Sequence, residues 1–308
     1  MIVRRHGPGR TADTRGTDRR LIWAVVVNLL LTVAQVAGGV LAGSLALIAD
    51  AVHNLSDALS LAIALFARRI ARRPAHPGMT FGYRRAEIVA ALINLTTLVV
   101  IGLYLMSEGI ARLFAPIPVD GWLIVIIAGV ALVIDLATVA LTFRPARGSM
   151  NIRAAFLHNL ADALGSVAVI VAGAAILLYG WTIVDPLVTL AIAGYVLWHA
   201  FREIGPAMRI LMEAVPPGLD VAEIAAALSE IEGVTDVHHL HVWSFDEHEY
   251  AMEAHILLEE ADLDRIRTVK KEARRRLAER FSIRHASLEI EFADEHCPER
   301  EKRLVAPH

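Results

Sequence analysis

Cysteine is almost missing: Cys297 is the single one in 308 residues. That excludes an intrachain disulfide framework and any cysteine-rich zinc finger. Lysine is absent from the first 204 residues, whose basic charge rests on 17 arginines against 11 acids, a net of +6. Residues 205–308 carry 13 basic and 22 acidic side chains, a net of −9. Charged residues make up only 20% of the chain, and the basic ones fall among apolar runs rather than on a compact basic domain, which argues against a nucleic-acid reader. What is abundant is apolar: 56% of the residues are hydrophobic, too many for a largely disordered chain. The two parts of the chain are built for two different solvents.

Six apolar runs carry the first part: Leu21–Gly43, Leu45–Phe66, Ile88–Ile110, Trp122–Phe143, Ile152–Leu178 and Val184–Phe201. Each is about long enough to cross a ~30 Å hydrocarbon core as a helix. The first is too long, and too promptly followed by a second, to be a cleaved signal peptide. Arginines alternate between connections. Arg4, Arg5, Arg10, Arg15, Arg19 and Arg20 precede span 1; Arg68, Arg69, Arg72, Arg73, Arg84 and Arg85 follow span 2; Arg144, Arg147 and Arg153 follow span 4. The intervening connections are nearly free of them, which predicts both termini on the cytoplasmic side.

After Phe201 the composition changes, with Pro206 and Pro216-Pro217-Gly218 marking a linker. Beyond it, Val221–Ile231 and Leu263–Phe281 have helical spacing, while Val234–Phe245, Tyr250–Leu258 and His285–Phe292 read as strands. The α-β-β-α-β order predicts a small α+β domain with helices on one face of a three-stranded sheet. The expected division is an Arg-rich tail (1–20), a six-helix membrane domain (21–205), a linker (206–218), a cytoplasmic domain (219–297) and a tail (298–308).

The chemistry lies inside the membrane. His53 and Asp57 in span 2, and His158 and Asp162 in span 5, are each four residues apart, so each pair shares one helix face. The stretches His53–Leu59 and His158–Leu164 differ at one position in seven. An ionisable side chain at mid-bilayer costs roughly 2.5–3.5 kcal/mol on insertion scales, so four of them need a compensating partner. His53 lies about eight residues into its span, roughly 12 Å at 1.5 Å per residue. Spans 2 and 5 run antiparallel, so their pairs can meet at similar depth. Two imidazoles and two carboxylates supply four N/O ligands suited to tetrahedral Zn²⁺. Such a set binds metal only when deprotonated, so metal and protons compete for the same atoms. Asp50, one turn before His53, and Asp135 in span 4 are candidates for an access path or for supporting the ligands; Glu108 in span 3 is a candidate to line the same cavity. Asp185-Pro186 reads equally well as the N-cap and first position of its own helix.

With these residues in view, the chain resembles the cation diffusion facilitator family, in its zinc-transporting branch. The resemblance rests on Leu45–Asp57 (LALIADAVHNLSD), Phe81–Glu87 (FGYRRAE), His158–Asp162, Asp185-Pro186 and Val237–Ser244 (VHHLHVWS). It implies a homodimer of six-span protomers in a lipid bilayer that expels zinc from the cytoplasm in exchange for protons. It also implies a ferredoxin-like C-terminal domain that helps dimerise and regulate. The family's transport site falls on His53, Asp57, His158 and Asp162, and His at the first position goes with zinc preference over cadmium. A regulatory zinc site in the C-terminal domain falls on His238 and His255, with Glu289 and Glu291 where some relatives place histidine, and Cys297 beside His296 as a soft candidate in the tail. His239 and His241 share a face with Trp243, which suits packing or dimer contacts. Only His76 stands where some relatives assemble a further site. No His-Glu-x-x-His occurs, so a metallohydrolase is disfavoured and no enzyme activity is expected. A membrane metal sensor without flux, or export of cadmium, cobalt or iron, is the alternative. The loop-poor, Arg-rich build suggests a bacterial inner membrane.

Overall fold

The computed structural model describes residues 14–71, 73–143, 150–247, 249–259, 262–292 and 304–305, and within them leaves out the side chains of 14–25, 28, 57, 58, 60–62, 64, 65, 67, 68, 71, 141–143, 150–155 and 158. Two compact units emerge, one from Met1–Leu65 with Ile93–Arg202, the other from Phe66–Leu92 with Glu203–His308.

The first unit is a helical bundle. Its helices are α1 (Thr14–Ala42), α2 (Leu45–Ala71), α3 (Ala86–Phe114), α4 (Gly121–Phe143), α5 (Met150–Tyr179) and α6 (Val184–Leu211). Four described stretches are long and apolar enough to cross a membrane: Ala86–Phe114, Gly121–Ala140, Asn159–Tyr179 and Val184–Leu211. The described apolar parts of the first two helices, Leu29–Ala42 and Leu45–Ser56, are shorter. Large apolar side chains such as Leu41, Val133 and Leu178 point outward, as lipid-facing residues do.

Helix α2 lies between two apolar clusters. Ala46 and Leu47 pack with Ile124 and Ala128 of α4 and Val169 of α5. Leu45 and Ala49 pack with Leu105 of α3 and Ala193 of α6. Close approach of α4 and α5 uses Gly173, where a Cβ would come within 2.9 Å of side-chain carbons of Ile124 and Val125.

Asp185 does something its sequence position does not announce. Rather than capping α6, where it lies, its fully buried carboxylate caps α2: it accepts hydrogen bonds from the Ser44 hydroxyl and from the backbone N–H groups of Leu45 (2.9 Å) and Ala46 (3.3 Å). Ser44 Oγ in turn accepts from Leu47 N at 3.1 Å. A carboxylate at a helix N-terminus also meets the positive end of the helix dipole.

The sequence reading ends span 6 at Phe201 and starts a linker at Pro206, whereas α6 runs through Pro206 to Leu211. Proline lacks an N–H but its fixed φ is helical, so the loss is one hydrogen bond and the helix continues.

The second unit holds α7 (Val221–Ser229), β1 (Val234–Ser244), β2 (Tyr250–Leu258), α8 (Leu263–Phe281) and β3 (Ile283–Phe292), in the expected α-β-β-α-β order. The sheet order is β1-β2-β3; β1 and β2 are antiparallel, and β2 and β3 are parallel, joined by the α8 crossover. On α8, Val269, Ala273, Leu277 and Phe281 recur every four residues and are buried. They join Ile224 and Leu228 of α7 and Leu240, Met252, Ile256 and Ile283 of the strands in one core. Part of the basic face of α8 is paired within the unit. Arg275 and Arg276 donate to Glu272, holding its carboxyl down at about 2, and Arg276 also reaches the Ala227 carbonyl of α7 at 2.8 Å. The connection between α2 and α3 packs in this unit: Phe81 meets Phe245 at 5.0 Å, Arg85 donates to Glu213 at 2.9 Å, and Arg84 pairs with Glu249.

Asp185→Ala leaves two buried N–H groups and a hydroxyl without their acceptor, a loss on the order of 3 kcal/mol. A clear fall in Tm in detergent is expected, with Asp185→Asn retaining part of the stability.

Candidate functional site

Helix α2 turns Asp50, His53, Asn54 and Ser56 inward, and all four are buried. His53 Nε2 lies 3.0 Å from Asp162 Oδ1 on α5. Two members of the two sequence pairs, from opposite parts of the chain, are therefore in contact. One turn before His53, Asp50 Oδ2 accepts a hydrogen bond from Gln35 Nε2 of α1 at 2.6 Å, and Gln35 Oε1 accepts from Asn54 Nδ2 at 3.0 Å. On the opposite side Asp135 Oδ2 of α4 accepts from Ser166 Oγ of α5 at 2.9 Å. Asp162, Gly165 and Ser166, which meet His53, Asp50 and Asp135 respectively, are spaced i, i+3, i+4 on one face of α5. Asp50 Oδ1 reaches α5 at Gly165, where a Cβ would stand 3.3 Å away. The His53 ring is edge-on to Tyr195 of α6, with centroids 5.7 Å apart.

Of the sequence candidates, the structure thus brings His53, Asp162, Asp50 and Asp135 together. The side chains of Asp57 and His158 lie outside the described residues; their backbones belong to α2 and α5. Glu108 does not line this cluster. Its carboxylate is 3.2 Å from Arg112 one turn on, and Arg112 also donates to the Gly43 carbonyl at 2.5 Å, so a helix-end arginine claims it. His76 closes a small turn, accepting from Gly78 N at 3.2 Å and meeting the Tyr83 hydroxyl at 3.1 Å. It enters no group of three ligating residues among those described. Sequence reasoning missed Gln35, Asn54, Ser166 and Tyr195. For the two amides the signal was present, since each is a polar residue within a lipid-length apolar run; nothing singled out Tyr195.

A second cluster lies on the sheet. His238 and His255 face each other across β1 and β2. Glu291 of β3 reaches both: Oε2 is 3.2 Å from His238 Nε2 and Oε1 is 2.7 Å from His255 Nδ1. The other nitrogens also face carboxylates, His238 Nδ1 that of Asp236 at 3.1 Å and His255 Nε2 that of Glu289 at 3.5 Å. A neutral imidazole offers one donor and one acceptor, and an ionised carboxylate only accepts. Such a set is satisfied by an imidazolium or by a cation at one nitrogen. One ligand atom from each of His238, His255 and Glu291 lies within 4.8 Å of the others. The spread suits a small divalent ion. His296 and Cys297 lie outside the described residues.

A bundle with an ionisable cluster between apolar helices, joined to a small α+β domain with an imidazole–carboxylate cluster, defines a membrane protein that handles cations. Residues 21–212 match the family described as the cation efflux transmembrane domain, and residues 216–293 match the ZT_dimer family, described as the cytoplasmic domain of cation efflux proteins. The chain belongs to the cation efflux, or cation diffusion facilitator, family. It is 33% identical over 288 residues to the metal cation efflux system protein CzcD of Cupriavidus metallidurans, covering 93% of this chain and 91% of that one. It is 36% identical over 288 residues to the zinc transporter ZitB of Escherichia coli (91% and 90%). With a cadmium, cobalt and zinc/H(+)-K(+) antiporter of Bacillus velezensis it shares 34% over 264 residues (85% and 84%). The solved metal-bound C-terminal domain of the CzcD transporter from Cuprividus metallidurans aligns at 26% identity and TM-score 0.22, covering 24% of this chain and 99% of that one.

Gln35→Leu removes the donor to Asp50 and the acceptor of Asn54 together. A cost of about 1–3 kcal/mol is expected for each buried group left unsatisfied. Thermal unfolding in detergent should show it, with a larger effect than Asn54→Leu alone.

Proposed function

We propose that the protein is a proton-coupled antiporter that exports zinc from the cytoplasm as a homodimer, through a tetrahedral site of His53 and Asp57 on α2 and His158 and Asp162 on α5. The observation that carries this reading is the contact between His53 Nε2 and Asp162 Oδ1 at 3.0 Å. In an antiparallel pair of helices with those residues level, one turn onward along α2 is Asp57 and one turn back along α5 is His158. The four positions then form two adjacent levels of one site. The names of the relatives support zinc as the cargo and protons as the counter-ion.

The chemistry of coupling is competition. Imidazole and carboxylate take either a proton or a metal, so loading Zn²⁺ displaces protons, and protonation on the acidic side helps release it. Asp50 and Asp135, which meet the same face of α5 as His53 does, are the residues along which ions approach. Zinc is substrate here, and a set with four protein ligands leaves no open position for hydrolysis, which favours transport over catalysis.

The same reading takes all six apolar helices as spans, with both termini in the cytoplasm of a bacterial cell and the protein in its inner membrane. It divides the chain into a tail (1–20), a transport domain (21–205), a linker (206–218), a ferredoxin-like domain (219–297) and a tail (298–308). The α-β-β-α-β order with a parallel β2-α8-β3 crossover supports the ferredoxin-like assignment. His238 and His255, with Glu291 as third ligand, hold a regulatory zinc ion.

Two measurements check this. Zn²⁺ uptake into proteoliposomes under an imposed pH gradient should follow the gradient in the wild type and drop to background in Asp162→Ala. Zinc binding without flux would instead identify a sensor, and flux surviving the substitution would put the pathway on other residues. For the regulatory ion, saturating Zn²⁺ at about 100 times its Kd should stabilise the C-terminal unit by about 2.7 kcal/mol, and Glu291→Ala should remove most of that gain.

A further inference from the structure

The open face of the sheet carries more ligating groups than the His238–His255–Glu291 set uses. Strands β1 and β2 pair at Val237↔Ile256 and His238↔His255 and resume at His241↔Glu253, so three steps along β1 match two along β2. The extra residue is a β-bulge. Within it His239 has φ = 49°, a left-handed conformation that non-glycine residues adopt only with steric strain. Regular alternation would set His238 on one face and His239 and His241 on the other. The inserted residue brings His238 and His241 to the same face, and His239 turns onto it with them. Its ring centroid is 4.8 Å from that of His241 and 4.6 Å from that of His255. Leu240 stays in the core at 0% exposure.

One ligand atom from each of His239, His241 and Glu253 lies within 4.8 Å of the others, and none of the three belongs to the first group. We infer that His239, His241 and Glu253 form a second divalent-cation site, beside the first on the same face of the sheet. Two imidazole nitrogens and one carboxylate oxygen make a borderline donor set suited to Zn²⁺ or Co²⁺, with the fourth position left for water. Ligand atoms around tetrahedral zinc stand about 3.3 Å apart, given bonds near 2.0–2.1 Å. A spread within 4.8 Å closes to that by side-chain rotation, without moving the strands. The bulge is the feature that makes the site: it pairs His241 with Glu253 and turns His239 toward them. Backbone strain of this kind concentrates where a ligand or reaction uses it. A cation here ties β1 to β2 at a place where their ladder is interrupted.

The site is counted by binding, without reference to flux, so its failure is separate from failure of the transport reading. Full-length protein in detergent, stripped with EDTA, is titrated with Zn²⁺ by isothermal calorimetry. The double variant H241A/E253Q should bind one ion fewer per protomer than the wild type, while H255A/E291Q retains that ion and loses a different one. Unchanged stoichiometry in H241A/E253Q would overturn the proposal. So would loss of both ions in either double variant, which would make the two clusters one composite site. Glu253→Gln alone, nearly isosteric, guards against misfolding. With a metal-free melt matching wild type, it should weaken one binding event at least tenfold and remove one component of the Co²⁺ ligand-field spectrum. Unaltered binding and an unaltered Co²⁺ spectrum would equally overturn the site.

Discussion

A polar group inside an apolar helix bundle must find its partner in another helix, and in this protein helix α2 is where that demand is concentrated. Asp50, His53, Asn54 and Ser56 are all buried on it. The partners come from all around: Gln35 of α1, Asn94 of α3 (3.4 Å from Ser56 Oγ), Asp162 of α5, and Asp185 of α6 at the N-terminal end of α2. Helix α4 joins through Asp135 and Ser166. Hydrophobic contact alone would let these helices slide and rotate, since lipid is as apolar as their faces. The polar pairs set register, because an unmade hydrogen bond has no water to replace it. The arrangement that holds the bundle together is thus the same one that gathers ionisable groups into a cluster.

Much of this could be read from the chain alone, for a physical reason. A charged residue in a lipid-length apolar run is so costly that its presence is itself the signal, and His53 and Asp162 stood out on that ground. The i, i+4 spacing then gave them a face. What could not be read was where partners more than a hundred residues away would fall. Asp185 offered every local sign of capping its own helix, a position followed by proline, yet its carboxylate serves α2. Glu108 looked like a cavity residue because it lies in a span, but a single arginine one turn away determines its company. Helix α6 continued through Pro206 because proline's fixed φ is itself helical, and about one turn of helix remains beyond it.

In the C-terminal unit the element order was legible and the register was not. Alternation along β1 correctly grouped His239 and His241 with Trp243, since Trp243 and His241 pair with Ala251 and Glu253 on one face of β2. It could not show that a bulge adds His238 to the same face. Nor could it choose between Glu289 and Glu291, which share one face of β3. The structure gives the buried position to Glu291, between both histidines, and leaves Glu289 at the rim. Only the pairing of three strands decides such questions, and pairing is a long-range property.

The capping of α2 by Asp185 also bears on how the protein is made. Some 140 residues separate Leu45 from the carboxylate that satisfies it. While the chain is being synthesised, the start of α2 has no acceptor for its first N–H groups beyond the Ser44 hydroxyl until the beginning of α6 has emerged. Contacts of such sequence separation form late. The start of the second helix is secured only when the sixth arrives, so the cap of α2 is completed late. An intermediate lacking α6 would hold Asp50 and His53 on a helix with a loose end. Completion of the sixth helix therefore acts as the latch of assembly.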